Sequence, residues 1–209
     1  MDKCLYPLLG IARLRMETDG QGITTLIAGA GCPLNCRWCI NKRLLHEATA
    51  EAVTAEELLE MVKKDDLYFR ATGGGVTFGG GEPLLHASFI RHFRDICPEE
   101  WHICVETSLA VSASLIREAS SAVDMFIVDC KDMNTEVYQR YTDGDGLLMQ
   151  KNLRMLLQLT GAERITVRVP RIPEYNSADD QKRSIEKLRA IGITKIDRFD
   201  YVIRPDMKP

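Results

Sequence analysis

Along this chain, short β-rich runs alternate with stretches of helical spacing, and the alternation repeats six times. The runs are Ile23 to Ala28, Val76 to Phe78, His102 to Glu106, Met125 to Asp129, Arg164 to Val169 and Lys195 to Ile203. Met125 to Val128 is apolar throughout, the pattern of a strand covered on both faces. Thr54 to Lys64 opens with an N-cap Thr, has Glu57 at the capping-box position and places apolar residues at helical spacing. Ser88 to Ile96, a capped Ser112 to Ala119, Leu147 to Leu159, and Ala178 to Ile191 ended by Gly192 also read as helices. Strands joined through helices form a parallel sheet with right-handed crossovers. Six units fall short of the eight of a closed barrel. The expected fold is therefore α/β, a partial (β/α)6 barrel open on one side, with a doubly wound open sheet as the alternative. One domain is expected over residues 1–209.

Composition bounds the rest. Apolar residues make up 45% and charged residues 27%, with a net charge of −3, so no general affinity for nucleic acid or a membrane surface is expected. No apolar run approaches a membrane span, and MDKCLYPLLG is poorly shaped for a secretory signal, which points to the cytoplasm. Seven cysteines, an odd number, argue against a disulfide framework and for metal or redox chemistry.

In parallel α/β folds the chemistry gathers at the C-terminal ends of strands. Every unusual cluster in this sequence falls there. Cys32, Cys36 and Cys39, spaced C-x3-C-x2-C, follow the first run. Gly79-Gly-Gly-Glu-Pro83 follows the second, Glu106-Thr-Ser108 the third, and Asp129 and Lys131 the fourth. Arg168 and the stretch VPRIPEYN close the fifth. Thiolates are soft ligands suited to zinc or to iron–sulfur clusters. Three from one loop can hold three irons of a 4Fe–4S cube and leave the fourth open. Zinc, with His46 or Cys4 as a fourth ligand, is the alternative. The glycine run lets backbone approach a ligand closely, and its carbonyls can accept from an ammonium group beside the charge of Glu82.

With GCPLNCRWCIN after the first strand and GGGVTFGGGEPLL around the second, the chain resembles the radical S-adenosylmethionine (SAM) superfamily. DGQGIT, VETS, IVDCKDMNTEVYQRYTDG and VRVPRIPEYN bring it closer to the activating enzymes of glycyl radical enzymes, such as pyruvate formate-lyase activase. The resemblance covers roughly Gly10 to Asn176. It implies a TIM-like partial barrel of radical SAM type and an oxidoreductase that cleaves S-adenosyl-L-methionine reductively to a 5′-deoxyadenosyl radical. Such a radical would take hydrogen from a glycine of a partner glycyl radical enzyme. A dry site that holds the target atom close is needed to contain it. The resemblance assigns Cys32, Cys36 and Cys39 to the cluster. It assigns Gly79, Gly80, Gly81 and Glu82 to the amino group of SAM, and Trp38 to the neighbourhood of the adenine. Glu106, Asp129, Lys131 and Arg168 would line the ribose, carboxylate and sulfonium side. Glu106 and Asp129 also match positions that hold a monovalent cation in some members. Reduced flavodoxin or ferredoxin is the implied electron donor. Asn41 to Thr72 contains no cysteine, so a single cluster is expected without a ferredoxin-like insert. Leu109 and Glu174 stand where such enzymes usually carry Gly. The alternatives are a radical SAM enzyme acting on a peptide or small molecule, and a non-catalytic zinc or iron–sulfur module.

Simpler roles suffice elsewhere. Cys97, Cys104 and Cys130 read as buried free thiols, with Cys130 directed to the helix layer. The four histidines read as surface or packing residues. Lys63 to Asp66 reads as a solvated helix end.

Overall fold

The computed structural model describes residues 4–16 and 18–203. The ends of the single domain expected over 1–209 lie outside the described residues. The strands are β1 (Tyr6–Met16), β2 (Ile23–Gly29), β3 (Glu51–Val53), β4 (Gly75–Gly80), β5 (His102–Thr107), β6 (Met125–Asp129), β7 (Ile165–Arg171) and β8 (Lys195–Asp200). The helices are α1 (Lys42–Glu47), α2 (Ala55–Val62), α3 (Asp66–Thr72), α4 (Ala87–Ile96), α5 (Ala113–Ser120), α6 (Thr135–Thr142), α7 (Gly146–Thr160) and α8 (Ala178–Ala190). One sheet runs β3-β1-β2-β4-β5-β6-β7-β8. From β2 to β8 every neighbouring pair is parallel, so the six expected strands form the open barrel. β1 lies antiparallel on β2, and β3 antiparallel on β1, which extends the sheet by two strands that the sequence pattern did not reveal. Pro7, Gly10 and an irregular register between Ala12 and Arg15, with Leu14 at φ 53°, hide β1 from a two-residue periodicity.

The helices form where their signals lie. Thr54 and Glu57 make the reciprocal capping box at the start of α2, and Gly192 follows α8 at φ 101°. Ser112 precedes α5, but its side chain caps nothing; its hydroxyl pairs with Ser114 instead. The last strand ends at Asp200 rather than Ile203. Asp65, expected in solvent, is buried: it accepts from Thr25 Oγ1 at 2.6 Å and from Arg13 Nη1 at 2.7 Å, and so ties α2 and α3 to the floor of the sheet. Its neighbour Asp66 accepts from the indole of Trp101 at 2.6 Å.

Between sheet and helices lies one large apolar core that includes Phe78, Phe89, Phe93, Val105, Phe126, Leu153 and Val167. Cys130 sits within it, and Cys97 and Cys104 are buried free thiols. A smaller cluster of Trp38, Tyr141 and Ile172 packs near the strand ends, with Cys36, Tyr175, Tyr201 and Ile203 against it. Among the described residues no helix is long and apolar enough to cross a membrane.

Candidate active site

The parallel strands put their last residues side by side. Asp129 pairs with Arg168 across β6 and β7, and Arg168 with Asp197 across β7 and β8. Glu106 ends beside Gly79, whose missing side chain makes the room: a Cβ there would stand 3.2 Å from Glu106 Oε2. A cavity of about 540 Å³ opens above this row, within the size range of small-molecule sites. Cys32, Cys36, Cys39, Gly80, Gly81, Glu106, Asp129, Lys131 and Arg168 all line it. The five strand-end motifs thus converge on one cleft.

Trp38, Gly79 and Glu82 do not line it. Trp38 packs into the small apolar cluster, with its indole Nε1 buried and without a hydrogen-bond partner among the described residues. Glu82 is buried, and both carboxylate oxygens accept from the protein. Oε1 accepts from Thr107 Oγ1 at 2.7 Å and from Leu84 N–H at 3.2 Å. Oε2 accepts from Ser108 N–H at 2.8 Å and from Ser108 Oγ at 2.6 Å. Glu82 therefore shapes the site from behind, by tying the ends of β4 and β5 together.

The glycines serve the cysteine loop as much as any ligand. Gly81 N–H donates to Gly29 O at 2.9 Å, and Glu82 N–H donates to Gly31 O at 2.7 Å. Gly80 adopts φ 91°, and a Cβ at Gly81 would stand 2.1 Å from Gly31 O. Side chains here would push the loop off the sheet. Asn41 Nδ2 donates to Gly80 O at 2.8 Å and so anchors the loop's far end to the same glycines.

The charges come in pairs. Arg168 Nη1 lies 2.8 Å from Glu106, Lys131 Nζ lies 2.9 Å from Asp129, and Arg15 pairs with Asp19. Burial pushes Glu106 up to about 7, against the pull of Arg168 and with help from Asp129 and Asp19. Burial would also raise Asp129, but Lys131 and Arg168 together hold it below the usual carboxylate range. Lys131 stays charged despite burial, because Asp129 lies beside it. Arg15, Asp19, Asn41, Ser108, Tyr141, Asp197 and Tyr201 also line the cleft, and sequence reasoning assigned none of them. The stretches DGQGIT and VETS contain Asp19 and Ser108. Nothing local marks the tyrosines.

The donor set fits an iron–sulfur cluster. Burial pushes the Cys36 thiol up to about 11, against the pull of Lys131. Among the described residues no three His, Cys, Asp or Glu side chains stand close enough to hold one ion. His46 and Cys4, the candidates for a fourth zinc ligand, do not line the cleft. The paired charges suit a ligand that carries charges of both signs.

An open parallel α/β barrel with three thiols at the end of its first parallel strand defines a class of iron–sulfur barrel proteins. The family model of the radical SAM superfamily matches residues 26–202. The 4-hydroxyphenylacetate decarboxylase activating enzyme of Clostridioides difficile (strain 630) is 33% identical over 225 residues, covering 78% of this chain and 71% of that one. The pyruvate formate-lyase 1-activating enzyme of Escherichia coli (strain K12) is 29% identical over 189 residues, covering 88% and 76%. The crystal structure of Streptococcus suis SuiB bound to S-adenosylmethionine superposes with a TM-score of 0.66 at 13% identity, over 85% of this chain and 40% of that chain. The chain belongs to the radical SAM superfamily and, within it, to the family of these activating enzymes. The superfamily works with a 4Fe–4S cluster and SAM.

Proposed function

We propose that this protein activates a partner glycyl radical enzyme by taking a hydrogen atom from one of its backbone glycines. The observation that carries the reading is the convergence of three loop thiols and three acid–base pairs on one cleft at the strand ends. Cys32, Cys36 and Cys39 would hold one cluster, which leaves an iron for the amino and carboxylate groups of SAM. When bound, the cluster and SAM supply one-electron cleavage to a carbon radical strong enough to break a C–H bond.

The chain's own residues bind, orient and exclude water. Gly80 and Gly81 frame the amino-group end of the cleft, with Gly79 and Glu82 fixing them from behind. Lys131 and Arg168 offer cations to a carboxylate. Glu106 and Asp129 offer acceptors to a ribose or a monovalent cation, and negative charge to a sulfonium. Trp38 supports the adenine side from within its apolar cluster. The paired side chains are already ordered before a ligand arrives, so little reorganisation is asked of them at reaction.

The chain acts as one radical SAM core domain in the cytoplasm, where its free thiols stay reduced. Reduced flavodoxin or ferredoxin supplies the electron; Cys32 is exposed, which brings the loop within reach of such a carrier. The test mixes anaerobically reconstituted protein, reductant and SAM with a glycyl radical enzyme encoded nearby. A glycyl doublet in electron paramagnetic resonance (EPR) supports the reading. Deoxyadenosine release that depends only on a small molecule, with no protein radical, overturns it in favour of small-molecule chemistry.

A further inference from the structure

The sheet does not close, and β8 is one of its two edges. The cysteine loop is well held at both ends. Gly29 and Gly31 accept from the glycine run, and Asn41 donates to Gly80. In its first half, Asn35 N–H donates to Thr142 O at 2.8 Å and Arg37 N–H to Tyr141 O at 3.0 Å, which fastens it to the end of α6. The turn that carries Cys36 and Cys39 has a further tether from 163 residues away. The hydroxyl of Tyr201 donates to the carbonyl of Trp38, between those two cysteines. Tyr201 is itself rooted, since its N–H donates to Arg171 O at 2.9 Å and extends the β7–β8 pairing past the last strand. The Tyr141 ring belongs to the same small apolar cluster against which Tyr201 packs. Both rings line the cleft, and Tyr201 packs on the same small apolar cluster as Cys36.

We propose that Tyr201 is a positioning residue for the cluster-binding loop: its hydroxyl clamps the Trp38 carbonyl to the chain just past β8, at one edge of the open sheet. The clamp orders two of the three thiols before any metal binds. It also joins the last strand at the mouth to the turn that carries the ligands, so a displacement at one is felt at the other. The proposal deepens the functional reading above and rests on it for the cluster readout alone; the metal-free readouts stand without it.

The experiment uses the full chain with Tyr201→Phe, which keeps the ring and its packing and removes only the donor. In the metal-free protein, alkylation of Cys36 and Cys39, followed by mass spectrometry, should quicken about five-fold, the factor carried by one hydrogen bond of ordinary net strength. Exposed Cys4 serves as the unaffected control, and buried Cys97 and Cys104 report any general loosening. Tyr201→Leu, which also lacks the donor, should move the same two cysteines at least as much. It also provides the test if Tyr201→Phe does not fold. After reconstitution, Tyr201→Phe should lose iron to a chelator faster and show an altered EPR spectrum of the reduced cluster. Unchanged reactivity of Cys36 and Cys39 in both variants overturns the proposal. So does a rise shared equally by Cys97 and Cys104, which would mark a general structural role. Altered thiol reactivity in a chain that binds no iron would leave the clamp standing and sink the cluster reading instead.

Discussion

Glu82 and Ser108 are joined twice, by the backbone N–H of Ser108 at 2.8 Å and its Oγ at 2.6 Å, both onto Oε2 of the carboxylate. With the bonds to Oε1, four donors fill a buried acid at the seam of two parallel strands. Burial raises Glu82, and these bonds oppose the rise. Glu82→Gln removes one acceptor and puts an NH2 group against fixed backbone donors. Hydroxyls of Thr107 and Ser108 can turn to accept, but the N–H groups of Leu84 and Ser108 cannot. The variant should lose about 1–3 kcal/mol of stability, measured by denaturant unfolding of the metal-free chain. SAM affinity should fall with it, through displaced glycines rather than a lost contact.

A second expectation concerns pH. Glu106 is raised to about 7 by burial despite Arg168. Its unfolded value is near 4.5. Between these values the folded state holds the proton more tightly than the unfolded state does. The contribution is therefore fully present below about 4.5 and is lost as pH rises through about 7. The full swing is on the order of 3 kcal/mol. In Glu106→Gln this part of the pH dependence should vanish. Unfolding free energies of both proteins from pH 5 to 8 give the comparison as a difference of slopes; parallel profiles would show that Glu106 titrates in the ordinary range.

The cysteines separate by place. Reconstituted protein should hold about four irons and four sulfides per chain. Cys36→Ala should lose them, since Cys36 lines the cleft. Cys97→Ala should keep them, since Cys97 follows α4 in the apolar core, where its thiol donates to the Arg94 carbonyl at 3.7 Å. Stoichiometric zinc without sulfide in anaerobic preparations would overturn the assignment.

Two residues that are not glycine hold left-handed backbone near the strand ends: Leu109 at φ 56° and Glu174 at φ 70°. The conformation costs a residue with a Cβ roughly 1 kcal/mol. At Leu109 the side chain is fully buried, and its apolar contacts offset the strain. Glu174 is exposed and has no such return. Glu174→Gly should therefore raise stability by about 0.5–1 kcal/mol, net of the entropy glycine brings to the unfolded chain. Leu109→Gly should lower it. Thermal unfolding of the two variants reads the opposite signs.

The barrel was legible because each strand's burial is local: Met125 to Val128 can only be covered on both faces. β1 was not, because Pro7, Gly10 and the irregularity near Leu14 break its alternation. The site was legible wherever a strand ended in an unusual residue. Two kinds of information were lost. One is direction: Glu82 faces the protein, because Ser108 and Thr107 arrive from the next strand to bond it. The other is distance along the chain: Tyr201 reaches Trp38 through the fold alone, and no spacing in the sequence encodes that meeting. Asp65 was misread for the same reason, since its partners Thr25 and Arg13 come from strands far upstream.

Arg171 stands at the end of β7, exposed at the rim of the cleft. Its guanidinium meets Asp200 at 2.7 Å, and both side chains are largely in solvent. Such a pair contributes about 0–1 kcal/mol at most, so Arg171→Ala should leave stability nearly unchanged. Its backbone carbonyl, which accepts from Tyr201, survives the substitution. Arg168, three residues earlier, keeps Glu106. The variant thus touches the rim and spares the floor. A glycine-bearing loop of a folded partner must leave its own core to enter the cleft, at a cost of several kcal/mol if it orders again on binding. Contacts at the rim have to return that energy, and an exposed arginine beside the strand ends is suited to do so. Arg171→Ala should weaken activation of a partner about ten-fold while uncoupled SAM cleavage stays close to that of the unaltered protein. Glycyl radical yield by EPR and deoxyadenosine by chromatography, taken from the same reaction, separate the two. Equal loss of both would place Arg171 within the cleft's chemistry, and loss of neither would move the partner's footing to another part of the rim.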